Sequence, residues 1–504
     1  MPTLKPYYWD LIALMAGFLY TLSFAPFNYP YLALGALILL CASWQQGSLK
    51  RAAYRGYLYG LSAFGLGVSW VYISVHDYGG ASMWLAAVIA ATFAAFWALF
   101  PALTGFIIVA LPRLIKINPL IITPFIMVLI DYWRGVLLLN GFPWLLGAYS
   151  QLTTPLAGYI PLVGAYGTGF LLILSARLLL EAMQKNQKRY YLLVSIIWLT
   201  GAGLQLIQWT TPAGAPFTAT LIQGNITQDK KWQPENRLNT LLLYKRHTQA
   251  HWDSQVIVWP ETAIPAMLED VNEFFLQPLK EEALAHGTDL IVSAPAGGNN
   301  ETEIYNAVIT LGKQAGIYRK NHLLPFGEYL PWQPFSSFVL KTIGMRLGSF
   351  TQGGDNQPLL RAGGYGFITS ICYEDAFGDA NIVGLENAAY LVNVTNDGWF
   401  GDSIEPHQHL QIAQMRALET GRFMLRATNT GASAIIAPNG AIIKQAPVFI
   451  ETTLTGSITP MQGKTPYSYW GDKPIIYVFG LFFIGVVLRS FYPKTKTGEG
   501  VIIH

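Results

Sequence analysis

The chain has 504 residues, 52% hydrophobic and only 12% charged, where a soluble domain carries about 25% charged residues. That deficit and a mean hydropathy of +0.33 point to a membrane protein, and a net charge of +3 is too small to suggest a nucleic-acid partner. Two cysteines exclude a disulfide-stapled fold.

Seven apolar segments crowd the first 209 residues, at roughly 10–25, 30–45, 54–76, 85–110, 119–138, 158–180 and 190–209, and an eighth lies at about 474–490. A spanning helix takes about 17–25 residues, so the first two are short. Cys41, inside the second, reads as a small buried hydrophobe. No small-residue cleavage site follows the first segment, so no cleaved signal is expected. Lys50, Arg51 and Arg55 flank the second connection, Arg113 and Lys116 the fourth, and Lys185, Lys188 and Arg189 the sixth, while Arg489, Lys494 and Lys496 follow the last segment. The first, third and fifth connections, around 26–30, 77–84 and 139–157, contain no Lys or Arg. By the positive-inside rule the even connections and both termini are expected in the cytoplasm, with 210–473 outside the inner membrane. Trp70, Tyr72 and Trp144 fall near outer helix ends, where an interfacial aromatic belt is expected. The segments lack the paired intramembrane charges that ion-coupled transport would require.

The outer stretch reads differently. Thr218–Gln223, Val256–Trp259, Asp289–Ala294, Ala307–Leu311, Gly366–Ile371, Tyr390–Val394 and Ala432–Ala437 are expected strands. Segments near 234–251, 271–286 and 405–424 are expected helices, the last carrying Gln411, Arg416, Glu419 and Arg422. This alternation predicts an α/β domain of layered sheets, large enough to bury its own core. The expected divisions are a helical membrane domain at 1–209, an extramembrane domain at 210–473, and a final helix with its tail at 474–504.

The chemistry centres on Phe367-Ile-Thr-Ser-Ile-Cys-Tyr-Glu-Asp375. A thiol is mostly protonated at neutral pH and must lose its proton to attack. Glu261, in Val258-Trp-Pro-Glu261, is placed to act as base for Cys372, and Lys320 to hold a developing oxyanion, helped by an N–H near Tyr373. Glu328 and Glu374 are placed to orient the lysine or share the proton. Each alone has a bland reading: a core cysteine, a turn glutamate, a solvated lysine.

In combination these residues resemble the nitrilase (carbon–nitrogen hydrolase) superfamily, in which Glu, Lys and Cys occur in this order on an αββα sandwich. The resemblance narrows to the apolipoprotein N-acyltransferase family through Gln223-Gly-Asn225 with Trp232, Lys320-Asn-His-Leu-Leu-Pro-Phe-Gly-Glu328, Asn393-Val-Thr-Asn-Asp-Gly-Trp-Phe-Gly401, Arg422-Phe-Met-Leu-Arg-Ala-Thr-Asn-Thr-Gly431 and Gly141-Phe-Pro-Trp-Leu145. The resemblance implies about eight transmembrane helices with a periplasmic nitrilase-like domain, in a bacterial inner-membrane enzyme of lipoprotein maturation. It implies Glu261 as base, Lys320 as oxyanion stabiliser and Cys372 as nucleophile. Glu328, Tyr373 and Glu374 are implied as supporting residues, and Trp232 as a substrate contact. The implied reaction is ping-pong: the sn-1 acyl chain of a phospholipid passes through a Cys372 thioester to the α-amine of a diacylglyceryl-cysteine apolipoprotein. No cofactor is implied, and a monomer is expected. One departure is visible: Asp131-Tyr-Trp-Arg-Gly135 stands where the family leads one to expect a Glu, so the role of that acid is open.

Other residues divide between readings. Arg134 is either a head-group phosphate ligand or a partner of Asp131. Trp332–Phe350 reads as a lid hinged at Gly344 and Gly348, against core packing. His407 and His409 point apart at i, i+2 spacing, so no metal site is expected. Asn393, Asn396 and Asp397 are expected to shape a turn beside the nucleophile, and Trp259, Trp399 and Phe400 read equally as packing or acyl contacts. Two rival functions stay open: a membrane-tethered amidase or nitrilase-like hydrolase, and a non-catalytic scaffold or transporter.

Overall fold

The computed structural model describes residues 5–115, 118–300, 302–334, 337 and 349–491. A helix forms in each of the eight apolar segments: Pro6–Thr21, Tyr31–Gln45, Leu49–Gly67, Met83–Ile115, Pro119–Tyr132, Ile160–Lys185, Lys188–Leu204 and Lys473–Phe491. Local chemistry sets several of their ends. Ser48 accepts from the Arg51 N–H, Asn118 accepts from the Leu120 N–H ahead of Pro119, and Asn186 closes its helix in the left-handed region. Among the described residues, three stretches can cross a membrane by length and composition, Met83–Arg113, Pro119–Asn140 and Pro155–Lys185. A fourth crosses if Leu49–Gly67 and Val71–Tyr78, bent by 60°, count as one. Length and composition thus support three or four spans rather than eight, because the first two helices have only 16 and 15 residues, Lys188–Leu204 has 17, and the apolar helix Lys473–Gly485 is also short.

Small residues let these helices approach closely. A Cβ at Gly56 would lie 2.1 Å from the Pro101 oxygen, and one at Gly17 would lie 2.2 Å from the Tyr59 oxygen. The bundle's outer faces expose Leu11, Met15, Trp84, Leu99, Leu192, Leu199, Leu481 and Leu488. The expectation that the segments lack paired charges fails. Arg55 pairs with Asp10 at 2.9 Å, and Arg177 pairs with Glu181 one turn along its own helix at 3.1 Å. A charge buried among helices is tolerated only when paired in this way, which is why these arginines are not isolated.

Residues 211–462 form the sheets. A short pair, β1 (Thr211–Pro212) with β14 (Met461–Gln462), closes the neck. The first six-stranded sheet contains β2 (Phe217–Gln223), β3 (Val256–Val258), β4 (Asp289–Gly297), β5 (Ile304–Leu311), β6 (Gly316–Arg319) and β13 (Thr452–Ile458), in the order β13-β2-β3-β4-β5-β6. The second contains β7 (Leu360–Ala362), β8 (Tyr365–Ile371), β9 (Tyr390–Thr395), β10 (Met424–Thr428), β11 (Ala434–Ile436) and β12 (Ile442–Gln445), in the order β12-β11-β10-β9-β8-β7.

The period of two along each strand builds four layers. Leu221, Val258 and Ile291 of the first sheet meet Phe367, Tyr390, Val392 and Leu425 of the second in one core. Their neighbours Ile222, Ile257, Leu290 and Val292 turn to the helices Pro234–Gln249 and Gln277–His286. On the far side, Ile368, Leu391 and Met424 pack on Leu410, Ala413 and Ala417 of the helix Glu405–Thr420. The result is an αββα sandwich, and the central strands read as unbroken apolar runs because both faces are covered.

The helix Glu405–Thr420 is also the floor of the sandwich. Its other face packs Ile412 and Met415 into the core of the helical bundle. Gln408 accepts from Trp144 Nε1 at 2.7 Å and from Trp70 Nε1 at 3.3 Å, Gln411 accepts from the Ala25 N–H, and Glu419 accepts from the Ala165 N–H. Trp70 and Trp144 are 7% and 2% exposed, so they staple two domains together rather than forming an interfacial belt. Cys41 is buried, as expected.

Candidate active site

Three strand ends deliver the candidate catalytic side chains. Glu261 follows β3, Lys320 directly follows β6, and Cys372 directly follows β8. Lys320 is 1% exposed and donates from Nζ to Glu328 Oε1 at 2.8 Å, with Glu261 Oε1 at 3.8 Å. Asn306, in the middle of β5, donates from one amide nitrogen to Glu261 at 2.7 Å and to Glu328 at 3.3 Å, while its backbone oxygen accepts from the Lys320 N–H. The second Glu328 oxygen accepts from the Leu324 N–H at 2.9 Å, which fixes the Pro-Phe-Gly turn around the lysine.

Cys372 lies at a strained junction. Its φ of +52° is in the left-handed region, which costs a non-glycine residue on the order of 1–3 kcal/mol. Glu374 holds the junction together. One of its oxygens accepts from the N–H groups of Asn321 (2.7 Å) and His322 (2.9 Å) and from Tyr318 Oη (3.0 Å), and the other accepts from the Ile371 N–H at 2.7 Å. Glu374 therefore ties the loop after Lys320 to the turn carrying the thiol, a backbone role rather than a direct hold on the lysine.

The electrostatics keep the thiol neutral with a raised carboxyl near it. Burial pushes the Cys372 thiol up to about 12, and the nearby Glu261 charge raises it further against the pull of Lys320 and His409. The thiol is therefore protonated at neutral pH. Burial also raises the Glu261 carboxyl above the usual carboxylate range, with Lys320 opposing. For Lys320 burial acts to lower its pKa, but Glu328 and Glu261 outweigh it, so the ammonium stays charged.

The helical bundle supplies the wall below the thiol. Tyr373 donates to the Gly141 oxygen at 2.7 Å, and its ring lies 6.3 Å from that of Trp144. Arg134 holds this Gly141–Leu145 segment, donating from Nη1 to the Phe142 oxygen at 2.7 Å and the Trp144 oxygen at 2.9 Å, and from Nη2 to Asp131 at 3.1 Å. Of the two readings of Arg134, pairing with Asp131 is the one its contacts match. The shorter Asp131 reaches Arg134 across i, i+3 without difficulty. His322 Nε2 meets the Asn140 oxygen at 2.6 Å, and Asn140 donates to the Leu323 oxygen.

Behind the thiol lies a second buried cluster that the sequence did not disclose. His409 places Nε2 3.0 Å from Asp375 and Nδ1 3.0 Å from Asp397. Arg426, on β10, meets both carboxylates at 3.2 Å and donates to Asn393, whose amide donates to the Cys372 oxygen at 3.3 Å. Asp397, Glu405 and His409 present ligand atoms within 4.8 Å of one another. Both His409 nitrogens already face carboxylates, so a cationic imidazole balances this cluster and a metal would have to displace it. Of the three residues expected to shape a turn, Asn396 and Asp397 open the turn after β9, whereas Asn393 lies within β9 and donates to the Cys372 oxygen instead. Trp259 is packing: it is fully buried and donates to Thr248. Trp399 is half exposed beside Tyr78, Phe400 packs edge-on to Trp70, and Trp232 is 47% exposed. The lid expected at Trp332–Phe350 falls mostly on residues 335–336 and 338–348, outside the described residues.

Comparison with known proteins fits this geometry. Residues 218–467 match the carbon–nitrogen hydrolase family, which gives the class of the sandwich. Residues 16–178 match the apolipoprotein N-acyltransferase N-terminal domain. The apolipoprotein N-acyltransferase of Methylococcus capsulatus is 48% identical over 470 residues, covering 92% of this chain and 93% of its own. That of Nitrosomonas europaea is 39% identical over 503 residues, covering 97% and 99%. Among solved structures, Saccharomyces cerevisiae Nit3, a member of branch 10 of the nitrilase superfamily, aligns over 58% of this chain and 98% of its own at 16% identity, with a TM-score of 0.38. The chain belongs to the apolipoprotein N-acyltransferase family.

Proposed function

We propose that the chain is an acyltransferase of lipoprotein maturation that works through a thioester on Cys372. Glu261 takes the thiol proton as Sγ attacks the sn-1 ester carbonyl of a phospholipid. Lys320 and the Tyr373 N–H stabilise the tetrahedral oxyanion. As the C–O bond breaks, Glu261 returns the proton to the departing glycerol oxygen and a lysophospholipid leaves. The α-amine of a diacylglyceryl-cysteine then attacks the thioester, Glu261 takes its proton, and the C–S bond breaks to regenerate the thiol. Glu328 holds Lys320, and Tyr373 and Glu374 hold the nucleophile's turn. Trp232 and Trp399, both exposed, are the proposed lipid contacts. For Arg134 the proposed role is to carry the Gly141–Leu145 wall rather than to bind substrate. The single observation that carries the reading is the buried Glu261–Lys320–Glu328 cluster acting on a strained, protonated Cys372.

We place residues 1–209 and 474–504 in the inner membrane and 210–473 in the periplasm, with up to eight crossings, both termini cytoplasmic, and a monomer as the working unit. The packing supports this orientation. The sandwich touches the bundle at Ala25, Tyr78 and Asn140, in or beside the three connections without Lys or Arg. Arg113, bound to the Gly47 oxygen, and Gln184, bound to Gln45, gather at the opposite end. Both substrates are lipids, and drawing an acyl chain into water costs about 0.8 kcal/mol per methylene, so a site at the bilayer surface avoids most of that cost.

The test is intact mass spectrometry after incubation with one defined phospholipid. The expected result is a single acyl adduct on the wild type and none on Cys372→Ala, with the adduct lost on adding a diacylglyceryl-cysteine peptide that gains the same mass. Free fatty acid in place of an adduct would instead identify a hydrolase.

A further inference from the structure

One more buried cation faces the same acid. Lys231 ends the short helix Gln228–Lys231 and is 2% exposed. Its Nζ donates to the backbone oxygen of Glu261 at 3.1 Å and to Thr262 Oγ1 at 2.5 Å. Thr262 is held in the left-handed region, with φ +46°, and its N–H donates to Ser293 Oγ at 2.9 Å. The ammonium therefore clamps the turn that carries the base. Neither of these two partners is charged, and a buried ammonium without a counter-charge is costly. The counter-charge is that of Glu261, joined by Cys372 when its thiol ionises, and both pull Lys231 toward its cationic form. Burial outweighs them and lowers its pKa to about 8.

A count of charges gives the ammonium a purpose. Glu261 and Glu328 otherwise share one ammonium, and Lys320 gives its 2.8 Å bond to Glu328 while standing 3.8 Å from Glu261. We propose that Lys231 is a positioning residue for acyl transfer: it pins the Glu261–Thr262 turn and supplies the second positive charge that keeps the Glu261 carboxylate ionised and able to take the Cys372 proton. The proposal rests on the roles assigned above to Glu261 and Cys372.

The charged groups acting on Glu261 and Cys372 come from several elements: Lys320 and Glu328 after β6, Asp397 after β9, and His409 on the 405–420 helix, with Glu374 acting on Lys320. A positive Lys231 lowers the pKa of both Glu261 and Cys372. Replacing it by a neutral side chain raises both and moves the acid limb of acyl-enzyme formation to higher pH. A purely structural clamp would lower the rate equally at all pH values.

The experiment is the pH–rate profile of acyl-adduct formation on the full-length enzyme with a defined phospholipid, read by intact mass. Lys231→Met is expected to slow the step at neutral pH by about 10–100-fold and shift the acid limb upward by about one pH unit. Lys231→Arg is expected to restore the limb. Thr262→Val, which removes one hydrogen bond and no charge, is expected to leave the limb in place. If Lys231→Met does not survive purification, Lys231→Gln carries the same prediction. An unmoved limb in the neutral variants, or an equal shift in Thr262→Val, would overturn the proposal. No adduct on the wild type would overturn the assignment of Cys372 together with this one, whereas a wild-type adduct with an unmoved limb in the variant overturns this one alone.

Discussion

Two buried charge clusters flank the nucleophile, and they are built to different standards. Behind Cys372, Asp375 and Asp397 are each met by both Arg426 and His409 at 3.0–3.2 Å. In front, Glu261 takes one hydrogen bond from Asn306 and has its lysine 3.8 Å away. In the first arrangement Asp375 and Asp397 are each held by two cations, which suits a scaffold, while Glu405 beside them, its carboxyl raised by burial, is left to change protonation near neutral pH. The second leaves an acid incompletely paired and shifted upward by burial, which suits proton transfer. On the roles proposed here, the degree of pairing, more than burial or proximity to the cysteine, separates the charges that work from those that hold.

The largest test removes the base. Glu261→Gln keeps the shape and is expected to slow acyl-enzyme formation by about 10²–10⁴-fold, with little change in melting temperature. Removing the central cation of the rear cluster should show the opposite profile. Arg426→Met strands two buried carboxylates and is expected to destabilise the fold by about 3–5 kcal/mol, read as a large fall in thermal or denaturant midpoint. If Arg426→Met kept its stability and lost only activity, the distinction between the clusters would collapse.

A smaller test uses pH. Burial first, and the Asp397 charge second, push the Glu405 carboxyl up to about 7 against the pull of His409. The folded protein therefore holds this proton more tightly than the unfolded chain, whose glutamate titrates near 4.3. The associated stability is complete below about pH 4.3 and is lost as pH rises through about 7. Glu405→Gln fixes the neutral form, so it is expected to raise the melting temperature at pH 8, by the equivalent of roughly 3 kcal/mol, with the gain shrinking as pH falls. A gain that was constant across this range would mean that Glu405 is not titrating in the folded state.

Much of this was legible before any coordinates, for identifiable reasons. The sandwich strands β2, β4, β8 and β9 are buried on both faces, so composition alone marks them. The trio sits in long motifs at strand ends. The helix expected over 405–424 overran because periodicity does not register its end: Gly421 adopts φ +62°, and Met424 already belongs to β10. β6 escaped because it has four half-buried residues, and β13 because Thr452-Thr-Leu-Thr-Gly-Ser-Ile458 is too polar to stand out. Asn306 left a faint signal, a lone amide inside an apolar strand. His409 left none, since its partners lie 34 and 12 residues away and only the fold brings them together. For Arg134 the choice between a lipid phosphate and Asp131 stays open in the sequence, which cannot show that Nη1 donates to the Phe142 and Trp144 carbonyls and Nη2 to Asp131.

The helix Glu405–Thr420 has a final consequence. It is buried along nearly its whole length, with one side on the second sheet and the other on the helical bundle. A fragment cut near 210 and 473 would bare Ile412 and Met415 and leave Gln408, Gln411 and Glu419 without the groups they bind. It would also release Tyr373, one residue past the thiol, from Gly141. The enzyme has no detachable head: its hydrolase-like half is a component that has given up independence, and its solubility and its reactivity would be surrendered in the same cut.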